Sequence, residues 1–276
     1  MAFLPYFIGL LVLAGVTYWL RSFVRQRQRE RLLVSRLTAE QRVALDRLVP
    51  LMNRMPADLQ ERLEGKINLF LNQVTFRGID GLEITEAMRL SIAAQACLLI
   101  VNSPVWFESL RNILVYPSAF RTRRPSHDGY VVHENNNNIT LGESWNHGPV
   151  VLAWDHALQG GLDDEDGHNV VIHEFAHQLD SLTGHTNGIP ILRKGQDYGG
   201  WETAMLDAFQ SHVERVESGQ PTLIDPYGAT NHEEFFAEAI VTFFEKSRDL
   251  RREEPALYAQ LAELLALDPA QWSKGA

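Results

Sequence analysis

A chain of 276 residues that is 45% hydrophobic and 22% charged can bury a sizeable core and is not composed like a disordered segment. Its net charge of −10 and pI near 5.5 exclude nucleic acid as the main partner, because phosphate binding needs a basic surface to release counterions. The single cysteine, Cys97, rules out an intramolecular disulfide and a cysteine-rich metal site, and its apolar setting (IAAQACLLIV) reads as a small buried core residue.

Charge is spread unevenly. Residues 1–45 hold seven arginines against two glutamates, which is +5 and leaves −15 for the rest. Residues 2–20 (AFLPYFIGLLVLAGVTYWL) carry no charge and are long enough to cross a hydrocarbon core as a helix. Tyr18 and Trp19 suit one interface, and Arg21, Arg25, Arg27, Arg29 and Arg31 follow at once. A cleaved signal would put its charges before the apolar run and a small-x-small site after it. The expectation is therefore a single-pass anchor over residues 1–20 in an inner membrane, with the arginines and the rest of the chain cytoplasmic. The alternative is a cytoplasmic protein. Residues 21–37 would form a basic juxtamembrane segment, attracted by anionic head groups or serving simply as a topology signal.

Further along, Thr38 and Gln41 make a capping box for a helix carrying Val43, Leu45 and Leu48. Pro56 opens a second helix at its first-turn position, running through Leu59, Leu63, Ile67, Phe70 and Leu71. After the turn RGIDG, Thr85 caps a third, whose stretch SIAAQACLLIV is apolar on nearly every face and so belongs at the centre. Between Trp106 and Trp154 the pattern changes to short β-type runs: ILVY before Pro117, YVVH from Tyr130 and VVLAW from Val150. Asparagines 135–138 read as a solvated turn within that small sheet. Beyond Gly167 helices return, with Pro255 opening the last.

The chemistry centres on His173-Glu174-Phe175-Ala176-His177. Four residues of α-helix turn through about 400°, so both imidazoles project from one face and can bind one ion. Glu174 is offset from them, where its carboxylate can reach a water without displacing a ligand. The preceding VVI, with Phe175, Leu179 and Leu182, gives this helix a buried side, and Gly184 stands where a C-terminal cap belongs. A catalytic zinc takes three protein ligands and keeps one open position, so a third must come from elsewhere. The run NHEEFFAEA from Asn231 is the best source. Thr230 with Glu233 forms a candidate capping box, which leaves Glu234 free as ligand, with His232 its nearest rival. First-turn acids also occur simply because they favour the helix dipole. Glu238, one turn after Glu234, suits a hydrogen bond that supports a ligand. Asp180, three residues after His177, either orients an imidazole or ends the helix. Tyr227 in the turn DPYGAT is either an oxyanion donor or a surface tyrosine. His168 and His185 flank the motif at spacings that fit loop residues.

These blocks carry a family resemblance. LEGKINLFLNQVTFRGIDGLEIT, MRLSIAAQACLLIV, VYPSAF, GESWNHGPVVLAWD, GHNVVIHEFAHQLDSLTG and YGATNHEEFFAE, in this order over residues 40–265, resemble the Mlc titration factor A family of zinc peptidases. The closing EFFAEAI also looks like a stretch of the anthrax lethal factor peptidase. The resemblance implies that His173, His177 and Glu234 bind one Zn2+, that Glu174 is the general base and that Tyr227 stabilises the oxyanion. It also implies aminopeptidase-like activity on small substrates and binding of the repressor Mlc, which would link the chain to sugar uptake.

The expected architecture is α+β and predominantly helical, zincin-like, with a small sheet beside the HExxH helix and the peptidase domain over residues 38–270. An extended peptide or protein substrate would pair with an edge strand drawn from residues 142–154. Two rival functions are a membrane-tethered protein that sequesters a transcriptional repressor around a structural zinc, and a deformylase-like hydrolase. The second is disfavoured because its cysteine ligand would have to be Cys97, in an apolar helix.

Overall fold

The computed structural model describes residues 3–118, 120–121, 126–128, 131–133, 139–140, 142–144 and 148–273, with side chains at 10–11, 13–118 and 148–273. Helix α1 (Phe3–Leu33) runs unbroken from the apolar stretch through the arginines. Leu10, Leu13, Trp19 and Phe23 on it are exposed, whereas its end is seated on the body, where a Cβ on Gly65 would collide with the Leu33 carbonyl. Among the described residues no helix is long and apolar enough to cross a membrane, so the expected anchor over residues 1–20 is not recovered.

Thr38 caps α2 (Ala39–Leu48) through the full capping box with Gln41. Pro56 stands at the N-cap of α3 (Ala57–Gln73), one position before the first turn where it was expected. The chain then forms β1 (Thr75–Gly78), in a region expected to be only a turn. Thr85 caps α4 (Glu86–Leu98), which is buried on nearly every face and carries the chain over to β2 (Asn112–Tyr116). That crossover is what a parallel β1–β2 pair requires.

Short strands follow: β3 (Phe120–Arg121), β4 (Ser126–Asp128), β5 (Val131–His133), β6 (Ile139–Thr140), β7 (Gly142–Ser144) and β8 (Val150–Ala153). The main sheet has the order β1-β2-β8-β7, with β8 parallel to β2 and β7 antiparallel at the edge. Strands β3 with β6 and β4 with β5 form separate antiparallel pairs. Asparagines 135–138 lie outside the described residues.

The remainder is helical: α5 (Trp154–Leu162), α6 (Val170–Asp180), α7 (Tyr198–Glu217), α8 (His232–Glu245), α9 (Ser247–Glu253) and α10 (Pro255–Leu265). The fold is thus α+β and mostly helical. Helix α6 lies against β7, β8 and α8. Its Phe175 ring sits edge-on to both Phe70 and Phe107, with centroids 5.7 and 5.2 Å away, which sets the rotation of the helix. Helix α8 buries Phe235, Phe236, Ile240, Phe243 and Phe244. Each such side chain contributes about 1.5–3 kcal/mol relative to exposure, so the two helices that bear the motif residues are among the most firmly held parts of the core.

Candidate metal centre

Helix α6 starts at Asn169, whose Oδ1 accepts from the Ile172 N–H at 2.9 Å. The same side chain donates to the Gly160 carbonyl at 2.7 Å and to Glu245 Oε1 at 3.1 Å, and Glu245 Oε2 accepts from the Gly167 N–H at 2.9 Å. The start of α6 is thereby clamped to the end of α8. Val171, Ile172, Phe175, Ala176 and Leu179 turn into the core, which leaves His173 and His177 on the face toward α8. The helix closes at Asp180, followed by a 3-10 turn (Ser181–Thr183) and by Gly184 at φ 91°, a left-handed position that favours glycine.

Three ligand-type atoms converge. His173 Nε2 and His177 Nε2 are 3.1 Å apart, and Glu234 Oε2 lies 3.1 Å from the first and 3.2 Å from the second. A tetrahedral zinc with bonds of about 2.0–2.1 Å needs its ligand atoms about 3.3–3.4 Å apart. This nearly equilateral triangle of two imidazole nitrogens and one carboxylate oxygen fits that ion in both spacing and donor chemistry. The side chains are only 12–14% exposed, and this is the group of described His, Cys, Asp and Glu side chains able to hold a metal.

Glu234 is delivered by its own helix start. The N-cap of α8 is Asn231, whose Oδ1 accepts from the Glu234 N–H at 2.9 Å, so the expected Thr230–Glu233 box is not the one that forms. Thr230 instead closes the preceding turn, donating to the Tyr227 carbonyl. His232, the rival ligand, packs at a tilt against Phe209 with ring centroids 4.2 Å apart and stands outside the trio. Glu238 Oε1 accepts from His173 Nδ1 at 2.9 Å, which turns Nε2 toward Glu234.

Asp180 has different work from orienting an imidazole. Its Oδ2 accepts from the Asn187 and Gly188 N–H groups, both at 2.7 Å, and so pins the loop after α6. Burial pushes its carboxyl up, against the pull of those backbone donors.

The electrostatics follow from this packing. Burial disfavours a charged His173, but hydrogen bonds to Glu234 and Glu238 outweigh it and push the imidazole up to about 10. Burial likewise works against a charged Glu234, and the hydrogen bonds from His173 and His177 overcome it, holding the carboxyl well below the usual range. Glu174 is buried beside them, close enough for its charge to raise both His173 and Tyr227. Tyr227 lies in a 3-10 turn (Pro226–Ala229), with its ring 6.1 Å from His173 and its hydroxyl donating to Glu234 Oε1 at 3.4 Å. Burial and the Glu234 charge push the phenol up to about 12, so it remains a neutral donor at physiological pH. His168 pairs through Nδ1 with Asp225 Oδ2 at 3.2 Å. Cys97 is fully buried, with its thiol pushed up by burial, and so behaves as a core residue.

Two imidazoles one helical turn apart, closed by a carboxylate from a second helix of an α+β fold, mark a protein of the metallopeptidase class. The chain belongs to the glucose-regulated metallo-peptidase M90 family, whose model matches residues 23–265. It is 39% identical over 273 residues to the uncharacterized protein slr2042 of Synechocystis sp., covering 96% of this chain and 98% of that one. It is 30% identical to Mlc titration factor A of Yersinia pestis, covering 80% of this chain and 82% of the relative. For Mlc titration factor A of Enterobacter sp. the identity is 28%, over 81% and 84%.

Proposed function

We propose that the chain is a zinc-dependent peptidase in which His173, His177 and Glu234 hold one zinc ion, Glu174 is the general base and Tyr227 donates to the oxyanion. The carrying observation is the triangle of ligand atoms with edges of 3.1–3.2 Å, with Glu174 and Tyr227 beside it. Zinc, when bound, supplies Lewis acidity toward the scissile carbonyl and makes water a nucleophile at neutral pH. Glu174 takes the proton of the attacking water and returns it to the leaving amine. Tyr227 gives up its long 3.4 Å hydrogen bond to Glu234 for a shorter one to the oxygen that becomes negative in the transition state. Glu238 keeps His173 in the tautomer that presents Nε2. An extended peptide pairs with the β7 edge, beside α6.

A second reading, a regulator that sequesters a transcriptional repressor, is supported by the name Mlc titration factor A carried by the relatives. A purely structural zinc would need neither Glu174 nor Tyr227. An aminopeptidase-like preference and a link to sugar uptake go with the peptidase reading and rest on the family resemblance alone. The deciding experiment measures zinc per chain and hydrolysis of a peptide panel before and after chelation. Peptidase function predicts activity lost with the metal and restored by zinc. A zinc-loaded protein that cleaves no peptide while binding a repressor would favour the regulator.

A further inference from the structure

Tyr227 is 53% exposed, so packing of its own ring cannot hold the phenol in place. Its position is set by the backbone of the turn, which Thr230 closes at one end and Asp225 fastens at the other. Asp225 Oδ1 accepts from the Tyr227 N–H at 2.8 Å, and Oδ2 pairs with His168, on the loop leading into α6. The Asp225 carbonyl accepts from the Gly228 N–H at 2.9 Å and lies 3.1 Å from His212 Nε2 of α7. A carbonyl only accepts, so Nε2 must carry the hydrogen. Burial outweighs the opposing pulls from Asp225, lowers the proton affinity of this imidazole and favours the neutral ring. His212 is only 6% exposed, and its ring packs 5.6 Å from that of Phe235, the neighbour of Glu234. Gly228 fits between these parts: a Cβ there would sit 3.4 Å from His212 Nε2 and 3.5 Å from the Glu238 Cβ.

We infer that His212 and Asp225 are positioning residues for Tyr227, tying its turn to α7, to the loop before α6 and to the helix that carries Glu234. This rests on the reading of Tyr227 as oxyanion donor. An exposed donor that must meet a developing charge needs a rigid base, because a displacement of about 1 Å costs on the order of 10²-fold in rate. Neither residue touches the ligand triangle, so their loss should spare the metal.

The test uses the zinc-loaded full chain with Tyr227→Phe, His212→Phe, His212→Gln, Asp225→Ala and the Tyr227→Phe/His212→Phe double variant. Readouts are kcat and KM on a peptide, zinc content, and calorimetric affinity for a phosphonamidate peptide that mimics the tetrahedral state. His212→Phe and Asp225→Ala should each lower kcat on the order of 10²-fold with KM and zinc near wild type. Phosphonamidate affinity should fall in step. His212→Gln should recover most of the rate, since its amide N–H can reach the same carbonyl. The double variant should be no slower than Tyr227→Phe alone, because the supports have nothing left to position. Multiplying losses in the double variant, or an unaltered rate in Asp225→Ala while Tyr227→Phe is impaired, would overturn the positioning role. A Tyr227→Phe protein with wild-type kcat would overturn the oxyanion reading itself, and this inference with it. If His212→Phe does not fold, Asp225→Ala and its combination with Tyr227→Phe decide the question by the same criteria.

Discussion

Glu238 offers a quantitative test of how the site is held. Its carboxylate accepts from His173 Nδ1 at 2.9 Å, in surroundings where both side chains are only 12–13% exposed and solvent screening is slight. Truncation to alanine removes that acceptor and frees the imidazole to rotate or change tautomer. A hydrogen bond to a charged group is worth about 1.5–3 kcal/mol, and losing such support to a metal-binding histidine typically weakens the metal about 10- to 100-fold. Glu238→Ala should therefore raise the zinc dissociation constant within that range. Glu238→Gln, which still presents an oxygen to Nδ1, should lose much less. Competition against a chromophoric chelator measures both, with circular dichroism confirming that α8 is intact. Wild-type zinc affinity in Glu238→Ala would refute the reasoning, and equal losses in both variants would show that charge, not orientation, is what Glu238 supplies.

Other expectations follow from the same geometry. Glu234→Ala should strip zinc, whereas Glu233→Ala should leave zinc bound; metal analysis separates them, and zinc loss tracking Glu233 would contradict the ligand set. In the metal-free protein His173 is pushed up to about 10, so its proton competes with zinc below that pH. Apparent zinc affinity should then rise about tenfold per pH unit from neutrality toward 10, with about one proton released per ion in calorimetry across buffers of different ionisation enthalpy. A flat profile without proton release would contradict this. Glu245→Ala would leave the Gly167 N–H without its acceptor and the Asn169 amide with the Gly160 carbonyl alone, and should destabilise the fold by about 1–3 kcal/mol in urea, with more exchange at the start of α6 than at α10. Uniform loss of protection along the chain would argue against a local clamp.

How much of this could be read in the sequence varies by element. The pairing of His173 with His177 was legible because a helix repeats every 3.6 residues, and the Glu234 to Glu238 spacing was legible for the same reason. That Glu234 rather than His232 meets the histidines was not decided by spacing. It depends on the approach of α8 to α6 and on which residue caps α8, where Asn231 competes with Thr230 for nearly the same pattern. Strand β1 was missed because it is only four residues long and runs into the glycine of the RGIDG turn, and pairing with β2 is what makes it a strand. The role of Asp180 could not be seen because its partners, Asn187 and Gly188, are backbone groups and leave no side-chain signature. The same holds for Asp225 and His212, joined through a carbonyl 13 residues away in the chain. The apolar N-terminus read as a span from its length, its Tyr18 and Trp19 and the arginines after it, whereas among the described residues no helix is long and apolar enough to cross a membrane.

The central claim is that Glu174 moves the proton while His173, His177 and Glu234 hold the metal. Glu174→Gln keeps the shape of the buried side chain but cannot accept a proton. The decisive measurement is zinc content together with steady-state hydrolysis of a cleavable peptide by the wild-type and Glu174→Gln full chains. The account predicts one zinc per chain in both proteins and hydrolysis in the wild type only. Near-normal turnover by zinc-loaded Glu174→Gln would contradict it.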